Sequence, residues 1–437
     1  MMGVKNYMKK VFLVTILACI LIVVASVSFA TADNTSSNPL WAAGNNPNKI
    51  IVISDLHLGI NDKISETVIN RQHLVNFLKS VQQTKDVREL VIAGDFLDDW
   101  FLPLSYPAYS DTQAFYTAVI KNNQSVFDEL NKIADKGIKV VYTPGNHDML
   151  LESDAMKKAM PKIIFVGADG LGTYITGDRQ EIAIEHGNRY DIFSAPDTVN
   201  NAELTGGEGI LPPGYFYARI AASWILQGKP PIVKDLPEVA LVPSKTNVDQ
   251  YGAYVYYNIW NNTLKRFTNI ERFDDKVFNL KIGGFNGKYT VEDLYPVVQA
   301  NGTISAPTLF KNFQRTWDER QEINGVNVNI PFLESAQAAA TGDVFFFSKQ
   351  AAQQYADKNI DIVVFGHTHY PLVEKHASGI TNVNSGTWID HNTSSPTGLS
   401  RTFAVITTGQ KSTSALYTYE TEGKVRDVTK ELTIPSK

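Results

Sequence analysis

Residues 50–59 read IIVISDLHLG. A four-residue aliphatic run has the length and composition of a strand buried on both faces. The polar Ser54-Asp55-Leu56-His57 that follows falls at its carboxyl end. The same arrangement recurs along the chain. A run at 90–93 leads into Gly94-Asp95-Phe96-Leu97-Asp98-Asp99, and one at 139–142 into Gly145-Asn146-His147-Asp148. A run at 181–185 leads into Glu185-His186-Gly187, and one at 361–365 into Gly366-His367-Thr368-His369. Between the runs, apolar spacing predicts helices at 64–81, at 111–135 with Asp111 as N-cap and Gly137 just beyond, and at 349–357 with Ser348 as N-cap. Further strands are expected at 163–166, 380–384, 402–408 and 414–420. Strands separated by single helices imply parallel crossovers, and the terminal run of strands implies a second, more antiparallel sheet. The expected fold is α/β, a two-sheet sandwich flanked by helices.

Residues 192–345 break this rhythm. They contain Gly206-Gly207, Pro212-Pro213 and Pro230-Pro231, yet carry Tyr215, Phe216, Tyr217, Trp224, Tyr254, Tyr256, Tyr257 and Trp260. A linker would lack that apolar content, so a large folded insertion is expected, its aromatics filling a small core or lining the mouth of a site as a lid. The main domain would then comprise residues 49–191 and 346–437.

Lys5, Lys9 and Lys10 precede an apolar run at 11–30, with small residues at Ser28, Ala30 and Ala32. Residues 1–32 therefore read as a secretory signal, or as an uncleaved anchor giving membrane association through the N-terminus. Export to the cell envelope or beyond is the expected localisation, and the polar residues 33–48 read as a flexible tether. Cys19 is the only cysteine, so no disulfide framework, Cys-ligated metal or cysteine nucleophile is available. The chain has 437 residues, 43% apolar and 19% charged, with a formal charge of −5. That length supports a sizeable core, and that charge argues against binding a nucleic-acid scaffold by broad phosphate neutralisation.

Loops at the carboxyl ends of strands converge on one crevice in such folds. Each of the five blocks brings a carboxylate, an imidazole or an amide oxygen, and five of the eight histidines fall within them. Borderline divalent metals such as Mn, Fe, Co and Zn take nitrogen and oxygen donors of this kind. A pair of such ions needs a bridging ligand, which a carboxylate supplies. The pair would acidify a bridging water and clamp the oxygens of an in-line displacement, the arrangement phosphoester hydrolysis most needs.

The ordered blocks Asp55-x-His57, Gly94-Asp95-x-x-Asp98, Gly145-Asn146-His147-Asp148, His186 and Gly366-His367-Thr368-His369 resemble the calcineurin-like metallophosphoesterases, an αββα fold. The resemblance implies that Asp55, His57 and His369 hold one metal and Asn146, His186 and His367 a second, with Asp95 bridging. It gives His147 the role of meeting the transition-state phosphate or protonating the leaving oxygen, with Asp98 orienting it. It implies hydrolysis of a phosphomonoester, phosphodiester or pyrophosphate by attack of a metal-bridging hydroxide. Ser54 through Gly59, the block running to Trp100, His186 through Asp191, Gly366 through Pro371 and Asn384 through Trp388 look like the branch containing UDP-2,3-diacylglucosamine hydrolase. The expected partner is a small phosphorylated substrate, lipid- or sugar-linked. Arg189 could bind a second phosphate or carboxylate, or else pair with Asp191 or another acid. A cell-envelope nucleotidase or sugar-nucleotide pyrophosphatase, and a catalytically silent scaffold on the same fold, are the alternatives. Asp99 and Asp148 fit solvated or supporting positions equally well.

Overall fold

The computed structural model describes residues 38–42, 44, 46–230, 238–421 and 423–434. The signal or anchor expected at 1–32 lies outside them. Among the described residues no helix is long and apolar enough to cross a membrane. In chain order the elements are β1 (Lys49–Ile53), α1 (Ile69–Gln83), β2 (Val87–Ala93), α2 (Thr112–Asn122), α3 (Gln124–Asp135), β3 (Lys139–Thr143), α4 (Ser153–Ala159), β4 (Ile164–Phe165), β5 (Thr173–Thr176) and β6 (Ile182–Glu185). There follow α5 (Ala202–Thr205), α6 (Pro213–Leu226), α7 (Val248–Phe267), β7 (Phe278–Ile282), β8 (Phe285–Tyr289), α8 (Trp317–Ile323), α9 (Phe332–Thr341) and α10 (Val344–Gln354). The chain closes with β9 (Ile362–Phe365), β10 (Leu372–Lys375), β11 (Thr381–Asn384), β12 (Thr402–Thr407), β13 (Thr413–Tyr419), β14 (Val425–Asp427), α11 (Thr429–Leu432) and β15 (Thr433–Ile434).

Two sheets of seven and six strands carry the fold, in the orders β14-β13-β12-β1-β2-β3-β4 and β15-β10-β11-β9-β6-β5. Alternation along β1 shows why they stack. Ile50 and Val52 join Val91, Ala93, Ile182, Ile184, Ile362 and Val364 in the layer between the sheets. Ile51 and Ile53 point the other way, into a core with Leu74, Phe77 and Leu78 of α1 and Phe127 and Leu130 of α3. A strand with a packed layer on each side must be apolar at every position, which is why residues 50–53 show no polar alternation. The second sheet is covered in turn by α10, whose Phe347 and Ala351 pack on Val363 and Phe365. The layers are helix, sheet, sheet, helix.

Several elements depart from the sequence reading, most of them because of partners distant in the chain. The helix expected at 64–81 begins at Ile69, because the Asp390 carboxylate accepts the backbone N–H groups of Val68, Ile69 and Asn70 at 2.8–3.0 Å. That cap comes from more than 300 residues away. The helix expected at 111–135 is two helices. Asp111 caps the first through the Ala114 N–H, but Asn123 interrupts it, with its side chain donating to Gly59 O and Val119 O. The helix expected at 349–357 runs instead over α10, capped by Asp343 through Phe345 and Phe346. Ser348 is buried inside it and donates to Glu374. The terminal strands do not all form the second sheet. β12 pairs antiparallel with β1 and carries β13 and β14 with it, covering what would otherwise be an open edge of β1. The tether is anchored at its apolar residues: Leu40 N–H donates to Thr84 Oγ1, and Trp41 Nε1 to Asp86.

The chain between β6 and α10 builds a core of its own from Phe216, Tyr256, Tyr257, Trp260, Phe278, Phe310 and Trp317. Its β7–β8 hairpin is a separate two-stranded sheet. The aromatics Tyr215, Phe216, Tyr256, Tyr257 and Trp260 are all buried here, as core fillers.

The loops that leave β1, β2 and β3 are laced together. Leu56 and His57 N–H donate to Asp95 O, and Asp98 N–H donates to Leu58 O. Buried Asp148 joins the third loop: its Oδ1 accepts the Gly145 N–H at 2.7 Å, and its Oδ2 those of Phe96 and Leu97 at 2.7 and 3.2 Å. Burial, then the Asp95 charge, pushes its carboxyl up to about 6. Asp148→Ala leaves three N–H groups without their acceptor. It should lower stability by about 3 kcal/mol in urea unfolding, and an unchanged midpoint would contradict this bracing role.

Candidate metal centre

Every block that follows β1, β2, β3, β6 and β9 ends at the same edge of the sandwich. The turn from strand to ligand is sharp. Of ten non-glycine residues with positive φ among those described, five are Asp55, His57, Asp95, His367 and His369, with φ between 42° and 66°. Residues without a glycine's freedom cost about 1–3 kcal/mol each in that region, and they persist only where the surroundings fix them. The fixing bonds are present. Asp55 accepts the His367 N–H at 3.0 and 3.1 Å, and its carbonyl accepts Thr387 Oγ1–H and Trp388 N–H at 2.8 and 3.1 Å. Glycine precedes Asn146 and His367 because the backbones approach closely: a Cβ on Gly145 would collide with Asp95 Oδ1, and one on Gly366 with Asp55 Oδ2.

Two groups of donors result. In the first, His57 Nε2 lies 3.0 Å from His369 Nε2 and 3.6 Å from Asp95 Oδ2, while His369 Nε2 lies 3.3 Å from Asp55 Oδ1. The candidate ligand atoms of Asp55, His57, Asp95 and His369 all fall within 4.8 Å of one another. In the second, Asn146 Oδ1 is 3.1 Å from His186 Nε2 and 3.0 Å from His367 Nδ1. His186 Nε2 lies 3.2 Å from Asp95 Oδ2. Asp95 Oδ2 therefore faces both groups, while its Oδ1 accepts the His147 N–H at 2.9 Å.

The outer atoms of the same rings are already committed. His186 Nδ1 is 2.9 Å from Ala93 O, His57 Nδ1 is 2.9 Å from Asp98 Oδ2, and His367 Nε2 is 3.1 Å from Asp191 Oδ2. Each of these partners takes a ring N–H and leaves the other nitrogen's lone pair turned inward. Lone pairs on nitrogen and oxygen at about 3 Å from one another repel unless a proton or a cation lies among them, so this donor set fits divalent ions with mixed imidazole and oxygen ligation. Without cations, the carboxylates draw protons onto His57 and His186. Burial disfavours charge on His186, but Asp95 outweighs it and raises the ring to about 9.

His147 stands beside the two groups, its side chain 16% exposed. Three consecutive residues hold it. Asp98 Oδ1 lies 3.0 Å from Nδ1, the Asp99 N–H donates to the His147 carbonyl at 3.1 Å, and the Trp100 indole stacks on the ring at 4.8 Å between centroids. Burial opposes the charge on His147, but Asp98 and Asp95 overcome it and lift the imidazole to about 10. Burial likewise works against ionising Asp98, yet His147 and His57 keep its carboxyl well below the usual range. Its Oδ1 also accepts the N–H groups of Trp100 and Phe101 at 2.9 and 2.8 Å. Asp99 faces away from the site, to Tyr116 OH at 2.9 Å, and burial pushes its carboxyl up to about 8.

Arg189 pairs with an acid, one of the two roles expected of it. Its guanidinium is buried against Glu185, with Nε 3.2 Å from Oε2, and Nη2 donates to Gly172 O and Thr173 Oγ1. The acid is Glu185, at the end of β6, and Asp191 pairs instead with His367. Two site residues escaped the sequence reading. Asp191 closes the stretch from His186 to Asp191, where it is read only as a partner for Arg189 and not as one for His367. Glu66, whose Oε2 lies 3.7 Å from His57 Nδ1, was hidden inside a helix expected to start at residue 64.

Residues 48–213 match the calcineurin-like phosphoesterase family. His367 and His369 lie beyond that match. No curated protein matches the chain. Among solved structures it is similar to a dimetal phosphatase from Danio rerio, at 10% identity over 88% of this chain and 99% of that one, with a TM-score of 0.32. It is also similar to phosphopantetheinyl hydrolase from Mycobacterium tuberculosis, at 13% identity over 79% and 91%, with a TM-score of 0.25. Residues 48–213 are thus similar to the calcineurin-like phosphoesterases, and Asp55, His57, Asp95 and His369 form a candidate metal site.

Proposed function

We propose that the protein is an exported phosphoesterase that hydrolyses a small phosphorylated substrate, a phosphomonoester, phosphodiester or pyrophosphate attached to a lipid or sugar. The observation that carries this reading is the placement of Asp95 Oδ2 toward both donor groups, with His147 held beside them. Asp55, His57 and His369 would hold one divalent ion and Asn146, His186 and His367 a second, with Asp95 shared; Mn, Fe, Zn and Co all suit the donors. When bound, such ions withdraw charge from phosphoryl oxygens and lower the pKa of nearby water.

The chain's own residues do the rest. Asp98 holds His147 through Nδ1, which leaves Nε2 as the atom that can give a proton. That proton goes to the leaving oxygen as its bond to phosphorus breaks, so the departing group leaves as an alcohol rather than an alkoxide. A nucleotide or sugar-nucleotide substrate uses the same step and differs only in what departs. The likeness of the blocks to the UDP-2,3-diacylglucosamine hydrolase branch supports a pyrophosphate in a lipid-linked sugar nucleotide as one member of this class, and the apolar N-terminal run supports action outside the cytoplasm.

With Mn²⁺ added, the purified protein should hydrolyse p-nitrophenyl phosphate or bis-p-nitrophenyl phosphate, and a chelator should abolish the activity. Asp95→Asn should lower kcat/KM by roughly 10²–10³-fold, several kcal/mol of barrier. His147→Ala should keep its metal and lose about 10²–10⁴-fold in kcat on an alkyl phosphoester. Activity that survived both substitutions would refute the mechanism. Arg189→Gln should destabilise the fold by roughly 3–5 kcal/mol, because Glu185 stays buried without its partner. Assayed where it is folded, that variant should keep the wild-type KM; a raised KM would return Arg189 to the substrate.

A further inference from the structure

The residue that carries the stacking face for His147 belongs to two structures at once. Trp100 leaves the β2 loop two residues after Asp98, yet it is 2% exposed and sits in the apolar core of the insertion, with Tyr215, Phe216 and Leu211. On the site side its indole lies 4.8 Å from the His147 ring at an interplanar angle of 27°. On the insertion side the first turn of α6 comes down on it: the Tyr215 ring stands perpendicular at 6.1 Å, and a Cβ placed on Gly214 would lie 3.0 Å from Trp100 Cζ3. The Gly214 N–H donates to Phe193 O at 2.9 Å, which fixes that turn against the chain leaving the His186 block. The indole Nε1 has no hydrogen-bond partner. A buried N–H without a partner is costly, so hydrogen bonding does not explain a tryptophan here, and its flat aromatic area does.

We infer that Trp100 is a positioning residue for His147, and that the insertion serves the reaction by pressing this indole onto the imidazole face. Asp98 holds the ring by its Nδ1 edge alone, and the terminal torsion χ2 is broad, so the ring can still tilt. The indole packed on its face restricts that tilt and so narrows the direction of Nε2. The inference rests on the proposed role of His147 as proton donor.

General-acid help matters most for a poor leaving group and little for an activated one, so the test compares an alkyl phosphoester with its p-nitrophenyl analogue under Mn²⁺. Trp100→Leu should lose about 10–100-fold in kcat on the alkyl ester and less than about threefold on the nitrophenyl ester, with metal content unchanged. Trp100→Phe, which keeps an aromatic face, should restore most of the alkyl rate. Gly214→Ala alters no site residue, but its Cβ would meet Phe193 O at 2.7 Å and Trp100 Cζ3 at 3.0 Å, so it shifts the α6 turn against the indole and should show a smaller loss of the same selective kind. If Trp100→Leu does not fold, Trp100→Met, which keeps a long apolar side chain without the flat face, carries the test. Parallel losses on both esters, or no loss, in the folded variants would overturn the inference, provided His147→Ala shows the selective pattern. If His147→Ala does not show it, the proton-donor reading itself fails and the inference falls with it.

Discussion

The two oxygens of Asp95 divide the labour on which the site depends. Oδ1 accepts the backbone N–H of His147 and so ties the β2 loop to the β3 loop. Oδ2 is left facing His57 on one side and His186 on the other. These histidines come from different sheets, and the carboxylate between them stands where the two carboxyl edges meet. With full burial and no counter-charge such a group is expensive to ionise. The surrounding imidazoles, His186 foremost, overcome that cost and hold its carboxyl well below the usual range. The centre is thus an electrostatic arrangement before it is a chemical one. Negative charge is concentrated on the buried carboxylates of Asp55, Asp95 and Asp98, and positive charge has to be brought to it.

That demand is met by strain at the strand ends. Five candidate ligands sit in left-handed backbone, and their conformations are held by hydrogen bonds from neighbouring loops rather than by their own sequence preference. The stretch Asn384 to Trp388 shows how. Asn384 Nδ2 donates to Gly366 O and Thr368 Oγ1, Ser385 Oγ lies 2.7 Å from Ser54 Oγ, and Thr387 and Trp388 grip the Asp55 carbonyl. A segment without a single ligand therefore fixes two ligand loops. The insertion adds a second support of the same kind through Trp100.

The layered fold and the donor blocks were legible in the sequence because both are written contiguously. A doubly buried strand is apolar at every position, and its ligands follow within a few residues, as in residues 50–57 and 361–369. What was not legible depends on distant partners. The start of α1 is set by Asp390, the break before α3 by Asn123 reaching Gly59, and the burial of Arg189 by Glu185 together with Gly172 and Thr173. Glu66 lies outside any compact block, and Asp191 ends one whose spacing does not tell that its carboxylate meets His367. The β7–β8 hairpin had a readable signal, alternating Phe278, Leu280 and Ile282 before Gly283-Gly284. It was obscured by the irregular composition around it.

The central claim is that Asp95 is shared between two cations, and anomalous diffraction from crystals grown with Mn²⁺ tests it most directly. The account predicts two manganese peaks per chain, one among Asp55, His57 and His369 and one among Asn146, His186 and His367, with Asp95 in contact with both. A single peak, or two peaks of which only one touches Asp95, would contradict it.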